Sequence, residues 1–244
     1  MGNLRIALCG NPNTGKSTLF NALTGLKQHT GNWAGKTVEM KKGVYTYKND
    51  QYEIVDLPGT YSLYSNSLDE EIARDFIVFG NPDITIVILD ATALERNLNL
   101  ALQVLEMTNR VIICINLIDE AEKLGININE KLLMRRLGVP VIKISARNKT
   151  GIPLLLDTVS RVISGVIQCA PFQIEYDEET ERKIKILEPM IERRFGNDIS
   201  ARWLSLRLLD GDRELFEHIE EKKARNREVL INGFSIHKTK TVIK

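Results

Sequence analysis

The sequence predicts an α/β protein: a mostly parallel sheet flanked by helices, followed by a small all-helical domain. Three observations carry that prediction. Apolar runs of strand length alternate with helix-length amphipathic segments from residue 4 to about 167. A glycine-rich turn, Gly10-Asn11-Pro12-Asn13-Thr14-Gly15-Lys16-Ser17, joins the first run to the first helix. Beyond Gln168-Cys169-Ala170-Pro171-Phe172 the strand-like runs stop and charge-dense helical periodicity takes over.

Composition sets the outer bounds. A length of 244 residues suits one large domain, or a medium one with a small companion. A hydrophobic content of 43% is enough for an ordinary core, and a net charge of +1 gives no argument for nucleic acid or an acidic partner. Of the three cysteines, Cys9 and Cys114 fall in apolar runs and none has metal-ligand spacing. The odd count argues against a disulfide framework, so buried thiols in a reducing compartment are expected. No leader pattern precedes the turn at residue 10, and no apolar run is as long as a membrane span, so a soluble chain is expected.

In order, Leu4–Cys9 reads as a buried strand and Ser17–Leu23 as a helix closed by Gly25. The turn between them is G-x-x-x-x-G-K-[ST], a phosphate-binding loop. Its glycines let successive N–H groups curl inward, and the helix dipole favours a polyanion there. Gly10, Asn11, Asn13, Thr14, Gly15, Lys16, Ser17 and Thr18 form the predicted cradle. Lys16 would reach the β- and γ-phosphates, and the Ser17 hydroxyl would ligate Mg²⁺. Residues 28–39 show no clear period and read as a mobile loop. Thr37–Tyr47 and Tyr52–Asp56 read as a hairpin turning at Asn49-Asp50, which sets one strand antiparallel. Asp56-Leu57-Pro58-Gly59 follows, with Asp56 placed to hold Mg²⁺ and the Gly59 N–H to approach a terminal phosphate. Helices at Asp69–Phe79, Leu94–Met107, Asn129–Leu137 and Ile152–Ile167 then alternate with strands at Asp83–Asp90, Arg110–Asn116 and Val141–Ile144.

Two clusters sit at strand ends, where ligand groups collect in open sheets. Asn116-Leu117-Ile118-Asp119 follows one strand and Ser145-Ala146-Arg147 another. The Asp119 carboxylate can accept from guanine N1–H and its exocyclic amine, whereas adenine would leave it unpaired. Bonds of that kind are worth about 1.5–3 kcal/mol each, enough for tenfold discrimination or more. Asn116 would order the loops around the base, and the Ala146 N–H would donate to guanine O6.

These four clusters, in this order, resemble a small GTPase domain of the TRAFAC class. The finer pattern resembles the cytosolic N-terminal region of the FeoB ferrous-iron transporters. It comprises Gly10-Asn11-Pro12-Asn13-x-Gly15-Lys16-Ser17, Gly31-Asn32-Trp33-Ala34-Gly35-x-Thr37-Val38-Glu39 and Asp56-Leu57-Pro58-Gly59-Thr60-Tyr61-Ser62-Leu63. That resemblance implies a P-loop GTPase fold binding GTP or GDP with Mg²⁺, on the cytoplasmic face of the inner membrane, attached to a membrane portion. It leaves homo-oligomerisation open. It makes Lys16, Thr37, Gly59 and Asn13 the catalytic set, with Ser17, Thr37 and Asp56 on Mg²⁺. Asn13 is the match for an asparagine that coordinates K⁺ in potassium-stimulated members, with the Gly31–Gly35 segment folding over the ion. Two departures bear on turnover and affinity. Thr60 stands where Ras-like enzymes carry a water-orienting glutamine, so slow hydrolysis is expected. Leu117 stands where N-K-x-D has lysine, so nucleotide affinity is expected in the micromolar range. Trp33 reads either as a partial core plug or as a residue whose exposure follows nucleotide state.

After residue 170, Asp177–Arg194, Ser200–Leu209 and Arg213–Arg225 read as helices, with Pro189 starting or kinking one. The resulting division is a nucleotide domain at 1–167, a helical domain at 171–228 and a tail at 229–244. In the family the helical domain slows GDP release and links to the membrane; a plain helical cap is the other reading. The tail matches nothing expected of the family and reads as a frayed or appended end. A stand-alone GTPase of ribosome or tRNA maturation, and a nucleotide-binding module without useful catalysis, remain open at this point. The first of these usually carries a basic RNA-binding module, and this chain has no basic excess.

Overall fold

The computed structural model describes residues 4–25, 28–32, 39–64, 67–196, 199–212 and 215–220. The chain divides into two compact units, Met1–Glu175 and Tyr176–Lys244. In the first, seven strands form one sheet in the order β2-β3-β4-β1-β5-β6-β7. They are β1 (Leu4–Gly10), β2 (Gln28–Asn32), β3 (Glu39–Tyr47), β4 (Asp50–Asp56), β5 (Ile84–Asp90), β6 (Val111–Asn116) and β7 (Val141–Lys143). β1 pairs in parallel with β4 and β5, and β5–β6–β7 continue in parallel. β3 alone among these runs against the others.

The apolar runs become central strands because both of their faces are covered. On one face Leu19 and Phe20 of α1 (Lys16–Thr24) and Leu155 and Val159 of α6 (Ile152–Ile163) pack with Ile6, Leu8, Ile54, Ile86 and Ile88. The alternating residues Ala7, Cys9 and Val87, all fully buried, point to the other face. There α2 (Leu68–Phe79) and α3 (Leu94–Met107) lie against the central strands. Ser67 caps α2 through Glu70 N–H, as an N-terminal serine should. Burial pushes the Cys9 thiol up to about 12 and raises that of Cys114 further still, so both behave as small apolar residues.

The structure departs from the sequence reading at four places in this unit. Residues 28–32 are not loop but the edge strand β2, antiparallel to β3. The β3–β4 turn is Lys48-Asn49, one residue earlier than expected, with Lys48 at φ 54° and Tyr47 paired to Asp50. A short helix intervenes after β6, α4 (Ile118–Lys123), before α5 (Glu130–Leu137). α6 stops at Ile163 because Gly165 turns the chain at φ 76°, letting Ile167 N–H reach back to Arg161 O at 3.0 Å.

The segment that follows belongs to the first unit rather than to a boundary at 167–171. Ala170 N–H donates to Gly138 O and Phe172 N–H to Leu137 O, both at 2.9 Å, and Ile174 N–H donates to Glu106 Oε1 at 3.0 Å. Gly138 closes α5 in the left-handed region, and a Cβ there would collide with Ala170 O. The glycine is therefore required twice, for its φ and for the strap passing over it.

The second unit contains α7 (Glu178–Phe195) and α8 (Ala201–Leu209), capped by Asp177 and Ser200. α7 runs through Pro189 and buries Ile184, Ile191 and Phe195, the period the sequence shows. Arg202 forks onto Glu181 at 2.6 and 2.9 Å and, with the Tyr176 N–H, holds that carboxyl down at about 2. Of the third predicted helix, residues 215–220 are helical and the rest lies outside the described residues, as does the tail at 229–244. Among the described residues no helix is long and apolar enough to cross a membrane.

Candidate functional site

The predicted residues converge on the carboxyl ends of β1, β4, β6 and β7. The strand β1 ends at Gly10, where any Cβ would lie 2.7 Å from Ile88 O, so only glycine leaves the loop room to curl. Asn13 at φ 66° and Gly15 at φ 79° supply two left-handed residues within the turn. Thr14 Oγ1 donates to Asn11 O at 3.0 Å across it. The loop encloses a cavity of about 530 Å³ lined by Asn11–Asn13, Gly15–Thr18 and Gly59. α1 begins at its floor, with its first-turn N–H groups turned toward the opening.

The second loop is stitched to the first. Leu57 N–H donates to Leu8 O at 3.0 Å and Thr60 N–H to Gly10 O at 3.3 Å. A Cβ at Gly59 would stand 3.3 Å from the Pro12 backbone, so the two loops touch there. Lys16 Nζ is in ion-pair contact with Asp56 Oδ1, and both side chains are buried, at 10% and 6% exposure. Asp56 Oδ2 accepts from Ser17 Oγ at 3.4 Å. Hydroxyl and carboxylate oxygen thus meet beside the cavity, the hard-oxygen pair that suits Mg²⁺. Thr60 itself is buried, and its hydroxyl has no partner among the described residues.

At the end of β6 Asn116, fully buried, clamps two loops. Its Nδ2 donates to Thr14 O and its Oδ1 accepts from Ala146 N–H, both at 2.9 Å. Gly15 must be glycine here too, since a Cβ would collide with Asn116 Nδ2. Leu117 takes the left-handed conformation at φ 64° and turns the chain from β6 into α4. α4 then presents Asp119, whose Oδ1 is buried without a partner among the described residues while Oδ2 accepts from Asn148 Nδ2 at 3.3 Å. A buried carboxylate oxygen left unpaired is a standing demand for an N–H donor. Ser145 is held by paired backbone bonds with Thr150, and its Oγ accepts from Asn148 N–H at 3.3 Å. The Arg147 guanidinium turns to Glu120 at 3.4 Å instead of joining this cluster.

Gly10, Asn11, Asn13, Thr14, Gly15, Lys16, Ser17, Thr18, Asp56 and Gly59 therefore gather at one end of the site, and Asn116, Asp119, Ser145 and Ala146 at the other. Thr37 and Trp33 lie outside the described residues. Sequence reasoning missed Asn148, an exposed loop residue two positions past Ala146. Its one local signal is the serine three residues before it, which invites a side-chain-closed turn.

Residues 4–159 match the family described as ferrous iron transport protein B, and residues 176–232 match the FeoB cytosolic helical domain. The Fe(2+) transporter FeoB of Escherichia coli (strain K12) is 41% identical over 217 residues, covering 87% of this chain and 27% of that relative. The chain thus spans about a quarter of the length of the curated relatives it matches. Among solved structures, the cytosolic domain of the T. maritima FeoB iron transporter in a GDP form has a TM-score of 0.82 at 38% identity, covering 91% of this chain and 86% of that one. The GMPPNP form of the same domain has a TM-score of 0.80 at 39% identity, covering 89% and 85%. Both the α/β unit and the helical segment after it are matched, and the chain belongs to the FeoB family, ferrous iron transport protein B.

Proposed function

We propose that this chain is the part of a ferrous-iron transporter that binds guanine nucleotide and hydrolyses GTP, a switch that regulates iron uptake through a membrane portion of the same polypeptide. The observation that carries the reading is the unpaired, buried Asp119 oxygen, tied through α4, Leu117 and Asn116 to the glycine-rich loop and its cavity. Related domains carry GDP and GMPPNP in their solved forms, which supports it. The site would face the cytoplasm, where GTP is found.

Each residue then has a task. The curled N–H groups from Asn13 to Thr18 hold the β-phosphate, with Gly10, Asn11 and Thr14 shaping the turn. Lys16 leaves Asp56 to sit between the β- and γ-phosphates. Ser17, Thr37 and Asp56 are the residues that would hold Mg²⁺. A Mg²⁺ ion held there would supply positive charge against the phosphate oxygens during hydrolysis. Gly59 donates its N–H to the γ-phosphate. Water attacks the γ-phosphorus, the β–γ bridging P–O bond breaks, and GDP and inorganic phosphate leave. Thr60 has no side chain long enough to reach that water as a glutamine would, so backbone groups position it and turnover is slow. Asn13, at the rim of the cavity, offers a carboxamide oxygen to K⁺, a fixed positive charge in place of an arginine finger. Ser145 and Ala146 close over the base, Ala146 N–H donating to O6, while the Arg147 side chain stays with Glu120. The helical unit slows GDP release.

Asp119→Asn tests the reading. Asparagine donates where aspartate accepted, so guanine loses both charge-assisted bonds while xanthine, with O2, gains a partner. GDP affinity should fall about 10- to 100-fold and XDP affinity should rise, measured by titration calorimetry with Mg²⁺. Undiminished GDP preference in the variant would place base recognition elsewhere. The potassium assignment has its own measurement: phosphate release from GTP should be faster in KCl than in NaCl at equal ionic strength, and Asn13→Ala should remove the difference. Equal rates in the two salts would exclude it.

A further inference from the structure

We propose that Asn148 is a positioning residue for base specificity: it pins the Asp119 carboxylate in the plane that guanine's two parallel N–H donors require. The inference rests on the guanine reading above. Its starting point is an asymmetry between the two oxygens of one carboxylate. Oδ1 is buried with no partner, whereas Oδ2 accepts from Asn148 Nδ2 at 3.3 Å. Only the amide nitrogen can face a carboxylate, since the amide oxygen would repel it.

The pin is itself anchored. Asn148 N–H donates to Ser145 Oγ, and Ser145 is locked to Thr150 by two backbone bonds of 3.1 Å. Asn116 holds the adjacent Ala146 N–H at 2.9 Å. The Asn148 backbone is therefore fixed to the strand end that carries the base loop, while Asp119 belongs to α4. Ile118 N–H to Ile144 O and the Arg147–Glu120 pair also join the two, but the Asn148 bond is the one that lands on the Asp119 carboxylate and sets its rotation.

That rotation matters because the terminal torsion of an aspartate is broad and roughly two-fold, so packing along the chain leaves it loose. Guanine presents N1–H and an N2 amine side by side, and both bonds form only when the carboxylate lies near the base plane. Hypoxanthine has N1–H alone and tolerates a turned carboxylate. Loss of the pin should therefore cost guanine more than hypoxanthine. A residue that merely kept the loop folded would cost both equally.

The test is Asn148→Ala in the full chain, titrated with GDP, IDP and ADP in Mg²⁺ buffer beside wild type. The GDP-to-IDP affinity ratio should fall about five- to tenfold, with IDP affinity changed about twofold or less. Asn148→Asp, which puts a second carboxylate against Asp119, should lower the ratio at least as far. A ratio unchanged in both variants, or GDP and IDP falling in step, would overturn the proposal. Wild type binding ADP as well as GDP would instead remove the guanine reading on which it stands, so the two failures are distinguishable.

Discussion

Lys16→Ala is expected to abolish detectable GDP and GTP binding and to destabilise the nucleotide-free protein as well. The first effect follows from removing the one cation that the loop aims at the phosphates. The second follows from the ion pair with Asp56, whose partners are 10% and 6% exposed. Removing one member of a buried pair leaves the other charge uncompensated, at a penalty of about 3 kcal/mol or more. Urea unfolding of the apoprotein should register the loss. The double variant Lys16→Met, Asp56→Asn separates the two effects, because it removes both charges. Most of the stability should return, while binding stays absent. Binding retained in Lys16→Ala would contradict the phosphate cradle. Stability unaltered in Lys16→Ala would mean that Lys16 and Asp56 do not pair in the empty site.

Asn116→Ala should be nearly as damaging, though it touches neither phosphate nor charge. Its two 2.9 Å bonds satisfy the Thr14 carbonyl and the Ala146 N–H in a place no water reaches. Alanine orphans both groups at about 1–3 kcal/mol apiece and leaves a void where the carboxamide stood. The phosphate loop and the base loop would also lose their only side-chain tie among the described residues. Nucleotide affinity should drop about 100-fold or more, and the unfolding midpoint should fall with it. Asn116→Asp should be no better. It restores an acceptor for Ala146 but sets a buried carboxylate oxygen against Thr14 O. Fluorescent-nucleotide titration and urea unfolding on the two variants would check both halves. Near wild-type affinity in either would show that the loops are held together by something else.

Much of this architecture was legible because the informative signals are local. β1, β5 and β6 are apolar runs covered on both faces, and α3 was readable to the residue from its leucine spacing. The phosphate loop, the Asp56–Gly59 turn and the Asn116–Asp119 cluster are short contiguous strings. What escaped was held by backbone rather than by pattern. β2 is polar and at the sheet edge, so its pairing rests on ladder bonds to β3 that no hydrophobic period announces. α4 spans six residues, fewer than two turns, too few to show a period. The strap from 168 to 175 is fastened by N–H groups to Gly138, Leu137 and Glu106, partners 32 to 68 positions away. At the site, residue types could be named from the string, but two pairings could not. Lys16 with Asp56 spans 40 positions and Asn148 with Asp119 spans 29, and both exist only once the strands align.

The two-residue hairpin between β3 and β4 has a practical use. Its tip, Lys48-Asn49, lies at the amino end of β4, while Asp56 sits at the carboxyl end seven residues on. At strand rise that separates them by roughly 20 Å. Asn49 is exposed and carries no side-chain burden that the site depends on. A dye or a short epitope grafted there would extend an outward-facing bend whose added closure entropy is only about 0.6 kcal/mol per doubling of length. The far rim of the sheet thus offers a handle for immobilising or watching this domain while its nucleotide pocket is left alone.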